Sequence, residues 1–191
     1  ARTDLDIVHT EIIDENNSFA YRAYVGAGLP YGNSRLLPFE RRFFIGGGSN
    51  LRAWRARTIG PGSYSDSSSV VSVEKTGEFT LQGNIEYRFD IIDERLDGAV
   101  FFDAGNIWNF REEGNFENSD FKFNRFYKEV ALNTGFGLRF DLTYVVFRTD
   151  WGIALHDPSK IESRRWVIRD FSSEGWIIDN TALNFAIGFP F

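Results

Sequence analysis

The sequence predicts an all-β protein, an antiparallel transmembrane β-barrel. Apolar and polar residues alternate in about seven segments, which is the pattern of strands with two different faces. The segments are roughly 9–14 residues long, which reaches the roughly 9–11 residues that a tilted membrane strand needs, whereas soluble strands average about 5–6. Aromatic residues make up 17% of the chain, with 20 Phe beside 18 Gly, a composition that suits a barrel with aromatic girdles.

The clearest strand prediction covers the last nine residues. Every odd position from Leu183 to Phe191 is apolar, and the even positions are small or polar. We expect this strand to run to the final residue, with its odd face toward lipid and its even face toward water. The other predicted strands cover 3–13, 19–29, 79–91, 98–108, 130–140 and 143–153.

The predicted connections are unequal in length, as in outer-membrane barrels. Tight turns are expected near Asp93–Glu94 and Asp141–Leu142, and serines over 63–73 indicate a loop tip. Seven strands is an odd number for a bacterial barrel. Either an eighth strand lies in 63–78 or 160–178, or the chain is a fragment of a larger barrel. Long polar links are expected over 30–78, 109–128 and 156–180.

The rest of the composition argues against several classes of function. There is no run of 18 apolar residues for a transmembrane helix. A net charge of -6 without a basic stripe argues against nucleic-acid binding. The chain has no Cys, and His9 and His156 lack metal-ligand spacing, so we expect no disulfide, metal site or cofactor. The chain starts at Ala1 rather than Met, which we interpret as a mature, processed or truncated form.

The connection 38–62 is too patterned for a passive loop. It contains Gly46-Gly47, Leu51-Arg52-Ala53-Trp54 and Gly60-Pro61. These residues resemble the inward-folding loop of the BamA/TamA superfamily of outer-membrane insertases, a surface-antigen type of β-barrel. That loop has an aromatic residue before Gly-Gly, then Arg-Gly-aromatic, then a Gly-Pro turn. Here Ala53 replaces the usual Gly and Trp54 the usual Phe or Tyr, which looks most like the TamL-type branch.

The resemblance continues through the following strands, at 83–89, 99–108, 135–139 and 148–152. The family's barrel has about sixteen strands, an even number as usual in bacterial barrels, and follows periplasmic POTRA domains. The resemblance implies that 1–191 is one domain that forms the carboxyl-terminal half of such a barrel, without a POTRA domain. The last strand is similar to the family's assembly signal, here carried by Phe185, Ile187, Gly188, Phe189 and Phe191.

An arginine on a loop tip inside a barrel needs a partner, because an unpaired charge away from bulk water is costly. Glu86 and Asp103 lie on the polar faces of the following predicted strands, and carboxylates suit a guanidinium. The resemblance implies the same contact. We expect Arg52 to dock loop 38–62 onto the lumen wall through Glu86 and Asp103, rather than to lie free on a flexible loop.

Other polar residues admit a second interpretation. Asp103 and Asp150 could form a catalytic pair, but lumen ion pairs with arginines explain them more simply. A basic cluster in the loop could bind lipopolysaccharide phosphate, although internal salt bridges are the preferred interpretation. The cluster consists of Arg41, Arg42, Arg52, Arg55 and Arg57.

The resemblance implies a protein that assists insertion or translocation of proteins at the outer membrane of a Gram-negative bacterium, and not an enzyme. The edge strand 183–191 would offer unpaired backbone groups to an incoming strand. The expected partners are outer-membrane lipid and lipopolysaccharide, client β-barrel proteins, and a POTRA-bearing segment or a second copy of the chain. Three alternatives stay open: a free-standing barrel of about eight strands that closes alone or dimerises, a passive pore or adhesin plugged by 38–62, and a soluble lipocalin-like carrier with its apolar faces inside.

Overall fold

Seven antiparallel strands form one sheet in the order of the chain. The computed structural model describes residues 1–32, 37–65, 75–92, 95–112, 116–142 and 144–191. Each strand pairs with the next one along the chain, and β1 and β7 do not pair with each other in these ranges, so the described sheet is open. The strands are β1 (Arg2–Ile12), β2 (Asn17–Gly28), β3 (Phe79–Ile92), β4 (Leu96–Trp108), β5 (Ala131–Asp141), β6 (Val146–His156) and β7 (Thr181–Ile187).

The predicted all-β antiparallel fold is therefore confirmed, and most strand ends lie within two residues of the predicted ones. β6 begins and ends three residues later than the predicted 143–153, and β7 ends at Ile187 instead of running to Phe191. The alternative of an eighth strand in 160–178 is wrong. That stretch contains two short 3-10 turns, Glu162–Arg164 and Val167–Asp170, and the start of the short helix α1, Trp176–Asn180.

Two predicted connections can be followed only in part. The described residues of 63–78 contain no strand, and Gly77 makes an isolated bridge to Phe43. The centre of the predicted serine tip, including Ser67, Ser68, Ser69 and Ser72, lies outside the described residues, as do Asp93 and Glu94. At the other predicted turn, Leu142 N donates to Val145 O at 3.0 Å.

The alternating residues divide the sheet into an apolar and a polar face. Large apolar side chains on the odd positions of β3, such as Leu81 and Ile85, are exposed, whereas Thr80, Gln82 and Asn84 between them are buried. This arrangement is the reverse of a lipocalin-like carrier, whose apolar side chains would point inward. None of the helical segments in the described part of the chain has the length and apolarity to cross a membrane.

The buried polar face is covered by the connection between β2 and β3, which folds back across the sheet. An apolar cluster forms where this connection meets the inner faces of β4 and β5, with Tyr24 and Trp54 packed against its edge. The cluster packs the loop against the sheet, and the polar side chains beside the cluster fix the position of the loop. Its buried members are Phe43, Ile45, Leu51, Ile59, Ile107 and Ala131.

Candidate functional site: a loop docked on the inner face of the sheet

Backbone hydrogen bonds hold the loop 37–65 in shape at its base and at its tip. Phe43 and Gly77 exchange two backbone hydrogen bonds of 2.8 Å, which close the base of the loop. Gly47 N donates to Trp54 O at 2.8 Å and closes its tip. Gly46 has a φ of 97°, and a Cβ there would lie 2.3 Å from Arg55 O, so the motif glycine is required by both backbone conformation and space.

The residues around Arg52 are anchors for the tip. Leu51 is fully buried in the apolar cluster, and Ala53 packs against Ala154 of β6 and Val167. Trp54 is half-buried and touches both groups. Ala53 has no positive φ, so alanine is accommodated where the resembling family has glycine.

Arg52 is buried and lies against two carboxylates on neighbouring strands. Its Nε and Nη2 donate to the two oxygens of Asp103 at 3.0 and 2.8 Å, its backbone N donates to Asp103 Oδ2 at 3.3 Å, and its Nη1 donates to Glu86 Oε2. The Phe101 ring stacks under the guanidinium, with 3.4 Å from Cζ to the ring centroid. Burial lowers the pKa of a guanidinium, but here Asp103 and Glu86 raise the pKa of Arg52 above its ordinary value, so the charge is fixed.

Asp103 is seated by uncharged neighbours as well as by Arg52. Asn84 Nδ2 donates to Asp103 Oδ1 at 2.9 Å and to the Asn50 carbonyl at 2.7 Å, so it also holds the loop backbone. Asn133 Nδ2 donates to Asp103 Oδ2 at 2.9 Å from β5. These contacts satisfy the carboxylate oxygens, which a buried anion requires.

Glu86 is the centre of a wider ion-pair network. Besides Arg52, it accepts from Arg88 Nε at 2.8 Å and from Arg139 Nη2 at 3.0 Å. Arg139 also reaches Asp150 Oδ1 at 2.7 Å, and Arg148 Nε lies 3.3 Å from Asp150 Oδ2. The structure thus joins Asp103 and Asp150 to arginines, and this pairing favours the structural interpretation over a catalytic carboxylate pair.

The second half of the loop docks on the end of β4. Gly60–Pro61 is a cis peptide, and Gly62 N donates to Ile107 O at 2.7 Å. A Cβ on Gly60 would lie 2.4 Å from Ile107 Cγ1, so only glycine fits between this turn and the strand. The Gly-Pro motif therefore sets the close approach of the loop to the sheet.

The predicted assembly-signal residues separate into two groups. Phe185 and Ile187 point outward from β7 and are exposed, as the alternation predicts. Gly188 N still donates to Val146 O at 2.8 Å, but Gly188 has a φ of 82°, and the chain leaves the ladder after it. Phe189 consequently lies by the guanidinium of Arg88, 4.5 Å from Cζ to the ring centroid, so its assignment to the lipid face of a continuing strand is wrong. Phe191, predicted on the same strand, lies beyond β7 and is only half-exposed.

The remaining predicted candidates lie apart from this site. Of the loop arginines, Arg41 and Arg55 are exposed, whereas Arg52 belongs to the buried network. His156 Nδ1 lies 2.7 Å from Val130 O and its ring contacts Trp166. Among the described residues, no group of three or more acidic, His or Cys side chains could hold a metal ion.

Several residues of the site were not identified from the sequence. Asn84, Phe101, Asn133 and Asn184 all contact Arg52 or its partners. Their positions on the inward faces of predicted strands are a signal that could have identified Asn84, Asn133 and Asn184 as lumen residues. Which atoms they bind depends on the path of the loop backbone, and the sequence pattern does not contain that path.

Comparisons with known proteins agree with this arrangement. The profile of the Omp85 superfamily domain matches residues 2–191. Among solved structures, the chain is similar to CdiB from Acinetobacter baumannii, with a TM-score of 0.53 and 14% sequence identity, over 97% of this chain and 26% of that one. Such a likeness shows a shared fold, and the chain spans about a quarter of the length of the CdiB chain. No curated protein matches the sequence.

Proposed function

The chain belongs to the Omp85 superfamily, and we propose that its seven strands form part of a barrel that inserts or translocates client proteins at the outer membrane. Outer-membrane β-barrels that handle client proteins make up this superfamily. The proposal extends to the finer assignment, an insertase of the BamA/TamA type close to the TamL branch. It also includes outer-membrane lipid and lipopolysaccharide, client β-barrels, and a POTRA-bearing segment or second copy as partners.

The observation that supports the proposal best is the docking of Arg52 on Glu86 and Asp103 beside an open sheet. A loop that only filled the lumen would need apolar packing and little charge specificity. Here one buried guanidinium joins the loop to β3 and β4 with bidentate geometry, and such an arrangement fixes one position. The fixed loop would stabilise β3 and β4 in the middle of the sheet while the edge strands pair with other strands.

The proposed mechanism is strand pairing and involves no covalent chemistry. β7 pairs only with β6 among the described strands, so its other edge presents backbone N–H and C=O groups. An incoming client strand would satisfy those groups by adding to this edge. The chain turns away from the sheet after Gly188, so the edge of β7 that is open to a client strand is short.

The test is the assembly of client barrels by an Arg52→Ala variant in the full-length protein. Removing one partner of a buried ion pair costs about 3–5 kcal/mol, so we expect the loop to leave its seat and the yield of folded, heat-modifiable client to fall. Arg41→Ala, in the same loop but exposed, is the matched control and should retain the yield.

The outcomes separate the insertase from a passive pore. Loss of client assembly at an unchanged level of folded Arg52→Ala protein supports the proposal. Normal client assembly together with increased passage of small solutes would contradict it, because the loop would then act only as a plug.

A further inference from the structure

Asn184 makes a contact that joins the last strand, β7, to the docked loop. Its Nδ2 donates to the backbone carbonyl of Arg52 at 2.8 Å, across 132 positions of sequence. The carbonyl belongs to the residue whose side chain is docked on Glu86 and Asp103. The tip of the loop is therefore held on its charged side by β3 and β4, and on its backbone side by β7.

β7 offers few other ways to hold the loop. Its outward residues Leu183, Phe185 and Ile187 are exposed, and its inward row consists of Ala182, Asn184 and Ala186. Alanine side chains cannot form hydrogen bonds, so Asn184 is the inward side chain of β7 that can bind the loop through a polar contact. The ladder between β7 and β6 is the shortest in the sheet, and it runs from Phe147 opposite Ile187 to Ile153 opposite Thr181.

Two glycines make room for this contact. A Cβ on Gly152 of β6 would lie 2.3 Å from Arg52 O, so glycine is needed where the carbonyl passes the strand. A Cβ on Gly48 would lie 3.5 Å from Asn184 Cβ, which places the loop backbone directly against β7. The approach of the loop to β6 and β7 is therefore tight over several residues.

We infer that Asn184 is a positioning residue that links the edge strand β7 to the docked loop, so that release of β7 and undocking of the loop are coupled. The functional meaning of this link rests on the function proposed above, whereas the link itself is a property of the fold. When β7 leaves the sheet, the Arg52 carbonyl loses its part-buried hydrogen-bond donor, which is unfavourable. When the loop leaves its seat, β7 loses its inward polar contact.

Coupling between two sites is reciprocal, so it can be measured from either side. Amide hydrogen exchange in full-length protein reports the opening of 48–55 and of 181–187 separately. We expect Asn184→Ala to accelerate exchange in 48–55 by about two- to tenfold, the effect of one lost hydrogen bond. We expect Arg52→Ala to accelerate exchange in 181–187 in return.

Thr181→Ala is the matched control for a lost hydrogen bond in the same strand. Thr181 Oγ1 donates to Ile177 O at 2.8 Å, away from the loop, so this variant should leave exchange in 48–55 unchanged. In the Arg52→Ala background, Asn184→Ala should have little further effect on the loop. Unchanged loop exchange in Asn184→Ala, or equal acceleration in Thr181→Ala, would overturn the inference.

A disulfide tests the contact without relying on a destabilised variant. The chain has no Cys, and the 3.5 Å between the two Cβ positions falls in the roughly 3.5–4.5 Å range of disulfides. We expect the pair Gly48→Cys and Asn184→Cys to crosslink, and the pair Gly48→Cys and Phe185→Cys, which points outward, to stay reduced. Failure of the first pair to crosslink would contradict the inferred placement of β7 against the loop.

These results are independent of client assembly. If exchange is coupled but Arg52→Ala still assembles clients normally, the link between β7 and the loop is supported and the proposed function is contradicted. Uncoupled exchange with defective assembly in Arg52→Ala would sustain the proposed function and contradict the role of Asn184.

Discussion

Glu86 and Asp103 both bind Arg52, but their surroundings give them different roles. Glu86 faces three guanidinium groups, those of Arg52, Arg88 and Arg139. Asp103 binds one guanidinium and is otherwise held by the amides of Asn84 and Asn133. At the scale of single residues, Glu86 therefore supplies the negative charge that three arginines share, and Asp103 is the main binding partner of the loop.

This difference predicts separable effects of two isosteric substitutions. Asp103→Asn removes the anion that accepts two bonds from the guanidinium and one from the Arg52 backbone, so we expect faster hydrogen exchange in 48–55. Glu86→Gln leaves three arginines with less countercharge. We therefore expect Glu86→Gln to lower the temperature at which the folded barrel loses its heat-resistant gel mobility by more than Asp103→Asn does. The same order of effects in both assays would contradict the division of roles.

The sequence was informative about charge at this scale and less informative about amides. The inward positions of Glu86 and Asp103 follow from strand alternation, and the resemblance supplied the partner Arg52. Asn84 binds the Asn50 carbonyl and Asn184 binds the Arg52 carbonyl. Such bonds depend on where a backbone oxygen points, which no residue pattern encodes.

At the scale of elements, the loop and the strands approach each other at glycines. Gly152→Ala would place a methyl group 2.3 Å from Arg52 O, so either β6 or the loop must move. We expect a loss of about 1–3 kcal/mol, typical of overpacking, and measure it as a lower midpoint of denaturant unfolding in detergent. Gly83→Ala is the matched control, because a Cβ there meets no atom within 4 Å, and it should not lower the midpoint.

The element boundaries show what alternation can and cannot predict. Alternation gave the strand centres correctly, because the contrast between lipid and lumen acts on every residue of a wall. It gave the end of β7 incorrectly, because the φ of 82° at Gly188 takes the chain out of the ladder while the apolar pattern continues. In 160–178 the chain forms turns, which have no alternating pattern. The buried Trp176 stabilises one of them, because its Nε1 donates to Val167 O at 2.6 Å.

At the scale of the whole molecule, the two edges of the sheet decide between the remaining architectures. β1 is exposed along its length and pairs only with β2 among the described strands. An unsatisfied edge is unfavourable in lipid, so both β1 and β7 need neighbours in a membrane. Seven strands do not match the even numbers of bacterial barrels, which favours additional strands between the two edges over direct closure.

Cysteine pairs across the two edges test this arrangement in the full-length protein. If further strands separate these edges, as we propose, cysteines placed at Leu5, Ile7 or His9 in β1 and at Leu183 or Phe185 in β7 will form no disulfide. The pair Phe147→Cys and Ile187→Cys, register partners in adjacent strands, is the positive control and should crosslink. A disulfide within one chain would instead indicate a small closed barrel, and one between two copies would indicate a dimer that shares one pore. Crosslinking of the same β7 cysteines to a client strand during assembly would support β7 as the edge that clients occupy, since β7 has a described partner on one side only.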